Sequence, residues 1–164
     1  MKEVSAYRTQ LISRLMASAR EFRKVCLTVQ DPFIPLEENG WNVHQIAAHV
    51  RDVDQLVYGL RAQRTAREDN PAFSNFDGEA YAREHYSLEE SLKDTLDGFV
   101  QSIESLTDIL RSLPIEAWSR VSHHEKLGEN LTLQFWVERS LAHIGEHLES
   151  VSKAKPMNSS HNDG

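Results

Sequence analysis

The stretch LTLQFWVERSLAHIGEHL, residues 131–148, decides the fold of this chain. It has the pattern of an amphipathic helix, because apolar side chains return at three- and four-residue steps along it. Thr132 is a residue type that caps helix N-termini, so we predict a helix from there to about residue 152. His143 and His147 stand four residues apart and therefore lie about 40° apart on one face. Two imidazoles at this spacing can chelate one metal ion.

A second stretch, GWNVHQIAAHV at residues 40–50, starts another helix and carries a third histidine. Asn42 is a preferred N-cap, and Gln45 stands where a glutamine completes a capping box. His49 points into the core, whereas His44 projects to the opposite side and is expected to be solvated. The apolar residues within about 60° of His49 are Ile46, Val53, Leu56 and Leu60. This stretch therefore predicts an inward-facing imidazole near the start of its helix.

Helical periodicity predicts four long helices, and no run of the sequence alternates like a strand for long. Two long segments, 69–86 and 114–131, are predicted connectors, the first with a short helical turn over residues 78–84. Ser87 with Glu90 forms a predicted capping box at the start of the third helix. The predicted helices cover residues 3–29, 42–68, 87–113 and 132–152. The predicted fold class is therefore all-α, a four-helix bundle with long second and third connections.

The heights of the three histidines constrain how the helices run. His49 lies about 10 Å from the start of the second helix, while His147 and His143 lie about 7 and 14 Å from the end of the fourth. These levels coincide only if the second and fourth helices are antiparallel, which is an up-down-down-up bundle. The second and third helices are then parallel and need a connector as long as the bundle. The segment 69–86 can stretch to about 55 Å, against a helix of about 38 Å.

Length, charge and cysteine content exclude several classes of protein. The chain has 164 residues, enough for one domain, which we place at residues 1–152 with a polar, disordered tail at 153–164. The net charge of −7 argues against nucleic acid as a partner. No apolar run reaches membrane-spanning length and no signal peptide opens the chain, so we expect a cytoplasmic protein without a membrane partner. Cys26, the only cysteine, falls on an apolar helical stripe, which predicts a buried structural thiol.

The two histidine-bearing stretches resemble the DinB/YfiT-like superfamily of metal-binding bundles. The resemblance places His49, His143 and His147 at the ligand positions of that family. It implies an up-down-down-up bundle, often dimeric, that binds zinc, nickel or iron-like divalent ions. Some members are S-transferases or isomerases that use bacillithiol, mycothiol or glutathione, and others are metal-dependent hydrolases. From this resemblance we expect a homodimer that acts on a small-molecule substrate.

Two classes of function remain open for such a site. In the first, the chain is an enzyme whose metal ion activates a low-molecular-weight thiol for S-transfer, with hydrolysis as the alternative. In the second, the metal is structural, and the bundle is a binding or stress-response module. The motifs of zinc proteases (HExxH), di-iron bundles (ExxH), P-loop proteins and α/β-hydrolases (GxSxG) are missing from the sequence. We rank the enzyme above the module.

Other side chains are candidates for roles near the metal. Asp52 and Glu146 each follow a histidine by three residues, so either can orient an imidazole or act as a general base. The alternative for both is a solvated helix face. Trp41 and Gln45 are expected at the mouth of the pocket, where a cofactor would bind. The pair His123–His124 precedes the fourth helix and is interpreted as part of an ordinary loop, with an overhang above the pocket as the alternative.

Overall fold

The computed structural model describes residues 1–38 and 40–154, and its helices begin where the sequence supplies caps. The Asn42 side chain accepts the backbone N–H of Gln45 at 2.8 Å, and Gln45 Oε1 accepts the backbone N–H of Asn42 at 2.9 Å. The Thr132 hydroxyl accepts the N–H of Phe135 at 3.1 Å. These bonds satisfy amide groups that a helix N-terminus otherwise leaves unpaired. The predicted caps of the second and fourth long helices are confirmed.

Within the described residues, the chain forms six α-helices and three short strands. The helices are α1 (Lys2–Thr28), α2 (Val43–Val53), α3 (Gly59–Arg67), α4 (Gly78–His85), α5 (Leu92–Ser112) and α6 (Leu133–Val151). The strands are β1 (Ala72–Phe73), β2 (Val121–His124) and β3 (Gly128–Thr132). A single π turn joins α2 to α3, so these two form one continuous rod. The bundle consists of this second rod together with α1, α5 and α6, which confirms the predicted four long helices.

The second rod and α5 are parallel. Arg51 of α2 lies beside Gly98 of α5, where a Cβ on the glycine would be 4.0 Å from the arginine Cδ. One turn further along both helices, Gln55 Nε2 donates to Ser102 Oγ at 2.8 Å. The residue numbers rise together, so the two helices run in the same direction.

The second rod and α6 are antiparallel. His49 of α2 faces His143 in the second half of α6, with 3.3 Å between their Nε2 atoms. Further along the rod, Asp54 faces Ser140, which lies earlier in α6. Residue numbers in the second rod rise in the direction in which those in α6 fall, so the two are antiparallel, as the heights of the histidines predicted.

The first helix fixes the remaining direction. Arg8, near its start, donates to the carbonyl oxygen of Ile115 just beyond α5 at 3.4 Å, while Arg23 pairs with Asp97 near the start of α5 at 2.7 Å. Helices α1 and α5 are therefore antiparallel. Together with the two relations above, this gives the predicted up-down-down-up bundle.

Apolar side chains from all four rods fill the centre of the bundle. Among the fully buried ones are Phe22 of α1, Val43 of α2, Phe99 of α5 and Trp136 of α6. Each such side chain stabilises the fold by about 1.5–3 kcal/mol through removal of apolar surface from water. Cys26 is 1% exposed, and burial raises the pKa of its thiol to about 12. The prediction of a buried thiol is confirmed. No helix in the described part of the chain is both long and apolar enough to span a bilayer.

The start of α5 differs from the predicted capping box. The helix begins at Leu92, with the Ser91 hydroxyl accepting the N–H of Asp94 at 3.3 Å. Ser87 instead closes a local turn by accepting the N–H of Glu89 at 3.2 Å. The Glu90 carboxylate pairs with an arginine of α2 rather than with a helix terminus. Ser87 and Glu90 have the spacing of a capping box, but Ser87 caps a local turn and Glu90 forms an ion pair, so neither begins the helix.

The π turn at Asp54–Tyr58 corrects the predicted face of the second rod. In a π turn the backbone N–H bonds five residues back, so one extra residue is accommodated and later side chains rotate by about 100°. Leu56 and Leu60, predicted to lie beside His49 in the core, are 40% and 43% exposed. Val57 takes their place and is buried. The prediction was wrong after residue 53 because it assumed an unbroken α-helix.

The three short strands in the connectors were not predicted, because none is long enough to show a clear alternating pattern. β1 pairs in parallel with β2, and β2 pairs antiparallel with β3. The sheet therefore ties the first connector to the second, at the end of the bundle where α3 ends and α6 begins. The helical turn predicted at residues 78–84 is confirmed as α4, whose cap Asp77 accepts the N–H of Ala80 at 3.0 Å. The domain boundary at residue 152 stays a prediction, and residues 155–164 of the proposed tail lie outside the described residues.

Candidate metal centre

Three histidines from two rods converge at one point. His49 comes from α2, and His143 and His147 come from adjacent turns of α6. Each offers one ring nitrogen such that the three lie within 4.8 Å of one another, a grouping that could hold a metal ion. Their ring centroids are 4.6–5.2 Å apart. The antiparallel packing of the rods and the i, i+4 spacing in α6 produce this convergence, as the sequence indicated.

Burial keeps these imidazoles uncharged. It lowers the pKa of His49 to about 4, with His147 as a second cause. It lowers the pKa of His143 to about 3, helped by its two histidine neighbours and by Arg139. Burial also lowers the pKa of His147, opposed by the nearby Glu146 carboxylate. Neutral imidazoles keep a free lone pair, which is the form that binds metal ions.

One polar atom at the cluster lacks a partner. The Nδ1 atom of His49 is buried and makes no hydrogen bond within the described residues. Gly78, the first residue of α4, packs against this ring: a Cβ there would lie 3.0 Å from His49 Cε1 and 3.6 Å from Nδ1. The glycine thus lets α4 approach the imidazole closely. Because the Nε2 atoms of His49 and His143 already face each other, the ring is held with Nε2 toward the cluster.

The cluster opens on a broad cleft of about 860 Å3, which we call the outer cleft. The three histidines, Trp41 and Glu146 line it, together with residues around the start of α4. The Trp41 ring stands edge-on to the His49 ring, with centroids 4.9 Å apart. A smaller cavity of about 230 Å3 lies behind Trp41 and reaches His49, Gln45 and Asp52. The predicted positions of Trp41 and Gln45 beside the pocket agree with these linings.

The carboxylates of the two acidic candidates, Asp52 and Glu146, differ in whether an ion pair already holds them. Asp52 Oδ1 accepts a hydrogen bond from Arg51 Nε at 2.9 Å, so its charge is already paired. Glu146 is exposed on the outer cleft and has no ion pair among the described residues. Neither carboxylate is hydrogen-bonded to any of the three imidazoles, so orientation of a ring by either one receives no support here.

His44 is buried, which corrects its prediction as a solvated residue. Its Nε2 lies 2.7 Å from the carbonyl oxygen of Glu90, and its Nδ1 lies 2.6 Å from the Tyr86 hydroxyl. Because a carbonyl oxygen only accepts, Nε2 carries a proton and the Tyr86 hydroxyl can donate to Nδ1. The segment before α5 covers the outer side of α2, which helical periodicity alone could not reveal. His44 therefore links α2 to that segment, away from the histidine cluster.

The pair His123–His124 belongs to strand β2 rather than to a loop. His123 is partly exposed and lies 3.2 Å from the Asn70 side-chain oxygen through its Nδ1. His124 is buried, and its Nδ1 accepts the backbone N–H groups of Lys126 and Leu127 at 3.0 and 3.1 Å. Its ring also lines a cavity that reaches the histidine cluster. The interpretation as ordinary loop residues was wrong for the secondary structure of both and for the position of His124.

That cavity, of about 320 Å3, contains side chains that sequence reasoning missed. We call it the inner cavity; it lies against His49 and His143 and is lined also by Tyr58, Arg61, Lys126 and Arg139. In an unbroken α-helix, Arg61 would lie about 120° from His49, whereas the extra residue of the π turn reduces this angle to about 20°. The isolated glycine at position 59 was the available signal, since a Cβ there would lie 2.7 Å from the Asp54 carbonyl oxygen that the π turn uses.

Comparisons with known proteins agree with this architecture. The family model described as the DinB superfamily matches residues 8–151. YfiT of Bacillus subtilis (strain 168) is 24% identical over 123 residues, covering 73% of this chain and 66% of that protein. The chain thus spans just under two thirds of the length of this curated relative. A solved structure of Bacillus subtilis YfiT, described as a probable metal-dependent hydrolase with an unusual four-helix bundle topology, has a TM-score of 0.79 at 20% identity, covering 88% of this chain and 83% of that one. Because the family match takes in most of the sequence, the chain belongs to the DinB superfamily.

Proposed function

We propose that the protein is a metal-dependent hydrolase of small molecules, in which His49, His143 and His147 hold one divalent ion. The observation that carries the proposal is the convergence of three neutral imidazoles on one point at the edge of an open cleft. Three imidazole ligands suit zinc, nickel or ferrous iron and leave further coordination positions open. YfiT, which is described as a probable metal-dependent hydrolase, supports the same reaction class.

The residues present fit such an ion. The two facing Nε2 atoms, 3.3 Å apart, leave His49 Nδ1 as the nitrogen on the other side of its ring. The nitrogens that face the cluster come from neutral rings and lie within 4.8 Å of one another, a donor set suited to a divalent ion. When bound, a divalent ion supplies positive charge that brings the ionisation of water close to neutral pH.

We assign the remaining steps, proton transfer and substrate binding, to side chains around the histidine cluster. Among the carboxylates that line the outer cleft, Glu146 is the one on the helix that carries two of the histidines, so we assign it the role of accepting a proton from the attacking nucleophile. Asp52 is paired with Arg51 and is assigned to the wall of the smaller cavity. Trp41 shields one side of His49 and, with Gln45, offers a surface for an apolar part of the substrate or for a cofactor.

S-transfer with a low-molecular-weight thiol is the rival reaction at the same site. Cys26 is the only cysteine and is buried, so a nucleophilic sulfur would have to come from a cofactor. The names of the relatives give S-transfer no support, and we therefore rank it below hydrolysis, which reverses the order that the sequence suggested.

The test begins with metal content. Full-length protein purified without added metal should carry about one divalent ion per chain, and His143→Ala should lose it. His123→Ala is the matched control, because that histidine lies outside the cluster. Undiminished metal content in His143→Ala would refute the assignment of these three histidines as the ligands.

Two reaction panels then separate the chemistries. Metal-loaded protein is tested against esters, amides and phosphoesters, and in parallel for conjugation of a generic electrophile with glutathione, bacillithiol, mycothiol or coenzyme A. We expect metal-dependent turnover in the first panel, reduced by Glu146→Gln. Turnover confined to the thiol panel would replace the hydrolase with the S-transferase, and a metal-bound protein inactive in both panels would favour the non-catalytic module.

A further inference from the structure

We infer that the inner cavity is an anion-binding site, which holds a carboxylate or phosphate group of the substrate beside the metal cluster. As a statement about the substrate class, this inference rests on the proposed function. The anion site itself follows from charge, burial and geometry, and can be tested whether or not the protein hydrolyses anything.

The charges that line the inner cavity have one sign. Arg61, Lys126 and Arg139 line it, and no aspartate or glutamate is among the described residues that do. Glu125, next to Lys126 on the hairpin, accepts the backbone N–H of Asn75 at 2.6 Å and does not line the cavity. The chain as a whole carries a net charge of −7, so three cations around one cavity are a local departure from the overall charge. A concave surface lined by one sign of charge concentrates ligands of the opposite sign.

Arg61 is a buried cation without a carboxylate partner in the part of the chain that the structure describes. It is 7% exposed and belongs to no ion pair there. Its guanidinium carbon lies 4.8 Å from the centre of the Trp136 ring, and its Nη2 donates to the Ser74 carbonyl oxygen at 2.9 Å. Burial lowers the pKa of this guanidinium, which expresses the cost of keeping its charge out of water. Packing on an aromatic ring explains where the side chain lies, but it does not require two further cations at the same cavity.

Arg139 connects the cations to the metal cluster. Its Nη2 lies 3.4 Å from the Tyr58 hydroxyl, and the Tyr58 ring centroid lies 5.5 Å from that of His143. One aromatic ring therefore separates this guanidinium from a proposed metal ligand. Guanidinium groups bind carboxylates and phosphates through paired N–H donors in a fixed plane. A substrate anion held there keeps the neighbouring part of the same molecule at the histidines.

The adjoining outer cleft has the opposite charge. Asp77, Glu79 and Glu146 line the outer cleft, where Arg83 is the only cation among the described lining residues. A substrate with one negative end is therefore directed with that end toward the inner cavity. This polarity makes the inner cavity, rather than the outer cleft, the place where the substrate's charge is recognised.

The test is a titration of full-length protein, zinc-loaded and metal-free, with inorganic phosphate and with succinate at constant ionic strength. Nitrogen-15 NMR follows the arginine Nε–Hε signals. We expect saturable shifts for Arg61 and Arg139 with a Kd on the order of 1–10 mM. Arg139→Gln changes an exposed residue, so it should fold normally and should weaken binding about tenfold. Arg61→Gln should also weaken anion binding about tenfold. Arg111→Gln changes an exposed arginine paired with Asp108 on its own helix and should leave anion binding unchanged.

The two anions distinguish a phosphate from a carboxylate, since the tighter one identifies the group that the cavity prefers. Absence of saturable shifts with both anions, or equal binding by wild type and Arg139→Gln, would overturn the inference. Metal-dependent hydrolysis without anion binding would leave the proposed function standing and the inference refuted. Anion binding by a protein that holds no metal and shows no turnover would support the inference and refute the proposed function.

Discussion

Replacing Asp54 with asparagine should stabilise the protein above neutral pH and destabilise it by about 1 kcal/mol near pH 4, where wild-type Asp54 is protonated and only the cost of the unsatisfied amide remains. Asp54 lies in the π turn and is 4% exposed. Its only side-chain hydrogen bond among the described residues comes from the Ser140 hydroxyl, at a long 3.5 Å. Burial raises the pKa of its carboxyl to about 7, and the Ser140 hydrogen bond opposes this weakly. An aspartate thus occupies a position that tolerates it well only when it is protonated.

The sign and size of the effect follow from the two pKa values. Between about pH 4 and pH 7 the unfolded chain has released this proton and the folded chain has kept it, so wild-type stability falls as pH rises. The folded-state pKa of about 7 lies about 3 above the ordinary value of 3.8. Since one pKa unit corresponds to 1.36 kcal/mol, ionised Asp54 destabilises the folded state by about 4 kcal/mol. The asparagine amide leaves donors unsatisfied, which costs about 1–2 kcal/mol. A net gain of about 2 kcal/mol remains above pH 7, or roughly 4–8 °C in Tm.

Urea unfolding of both proteins in EDTA, from about pH 4 to pH 8.5, measures this difference. The three clustered histidines titrate in both proteins, so their contributions cancel in the comparison. Asp108→Asn, at an exposed carboxylate on α5, serves as the control and should change stability by a few tenths of a kcal/mol at most. A gain that stays constant across the pH range, or a variant less stable than wild type at pH 8.5, would refute the reasoning.

Three further predictions concern the cluster, the thiol and the assembly. Gly78→Ala should weaken metal affinity about tenfold in a chelator competition, because its Cβ would press on His49, while Gly98→Ala, with no atom nearer than 4.0 Å, should leave the affinity unchanged. Equal affinities in the two variants would contradict this account of the close packing. Cys26 should react with a thiol reagent roughly a hundredfold more slowly in folded than in urea-unfolded protein, because burial raises the pKa of the thiol to about 12. The homodimer stays a prediction, and light scattering that shows a monomer at micromolar concentration would count against it.

The long helices could be predicted because their determinants are local. Asn42 with Gln45, and Thr132 before its helix, satisfy amide groups within one turn of themselves, so the sequence contains the complete signal. The convergence of His49 with His143 and His147 needed only helical angles, rise per residue and the length of one connector. All of these are properties of the chain before it packs.

What could not be predicted depends on contacts distant in sequence. The strand that carries His124 pairs with residues 72–73, some fifty positions earlier, and no periodic pattern marks so short a strand. Burial of His44 likewise depends on a segment more than forty residues later. Arg61 was missed for a different reason, since angles computed for an α-helix become wrong beyond the π turn. The three clustered histidines lie before that turn or on another helix, so the error did not reach them.

The π turn also makes one part of the site sensitive to chain length. Removing a single codon from Asp54–Tyr58 would let the rod continue as an ordinary α-helix and turn everything after it by about 100°. Arg61 would swing away from the inner cavity, while His49, which precedes the turn, would keep its place. A change of one residue at this position would therefore alter the proposed anion recognition and leave the histidine cluster in place. Among relatives, we expect the extra residue to follow the charge of the substrate rather than the identity of the metal.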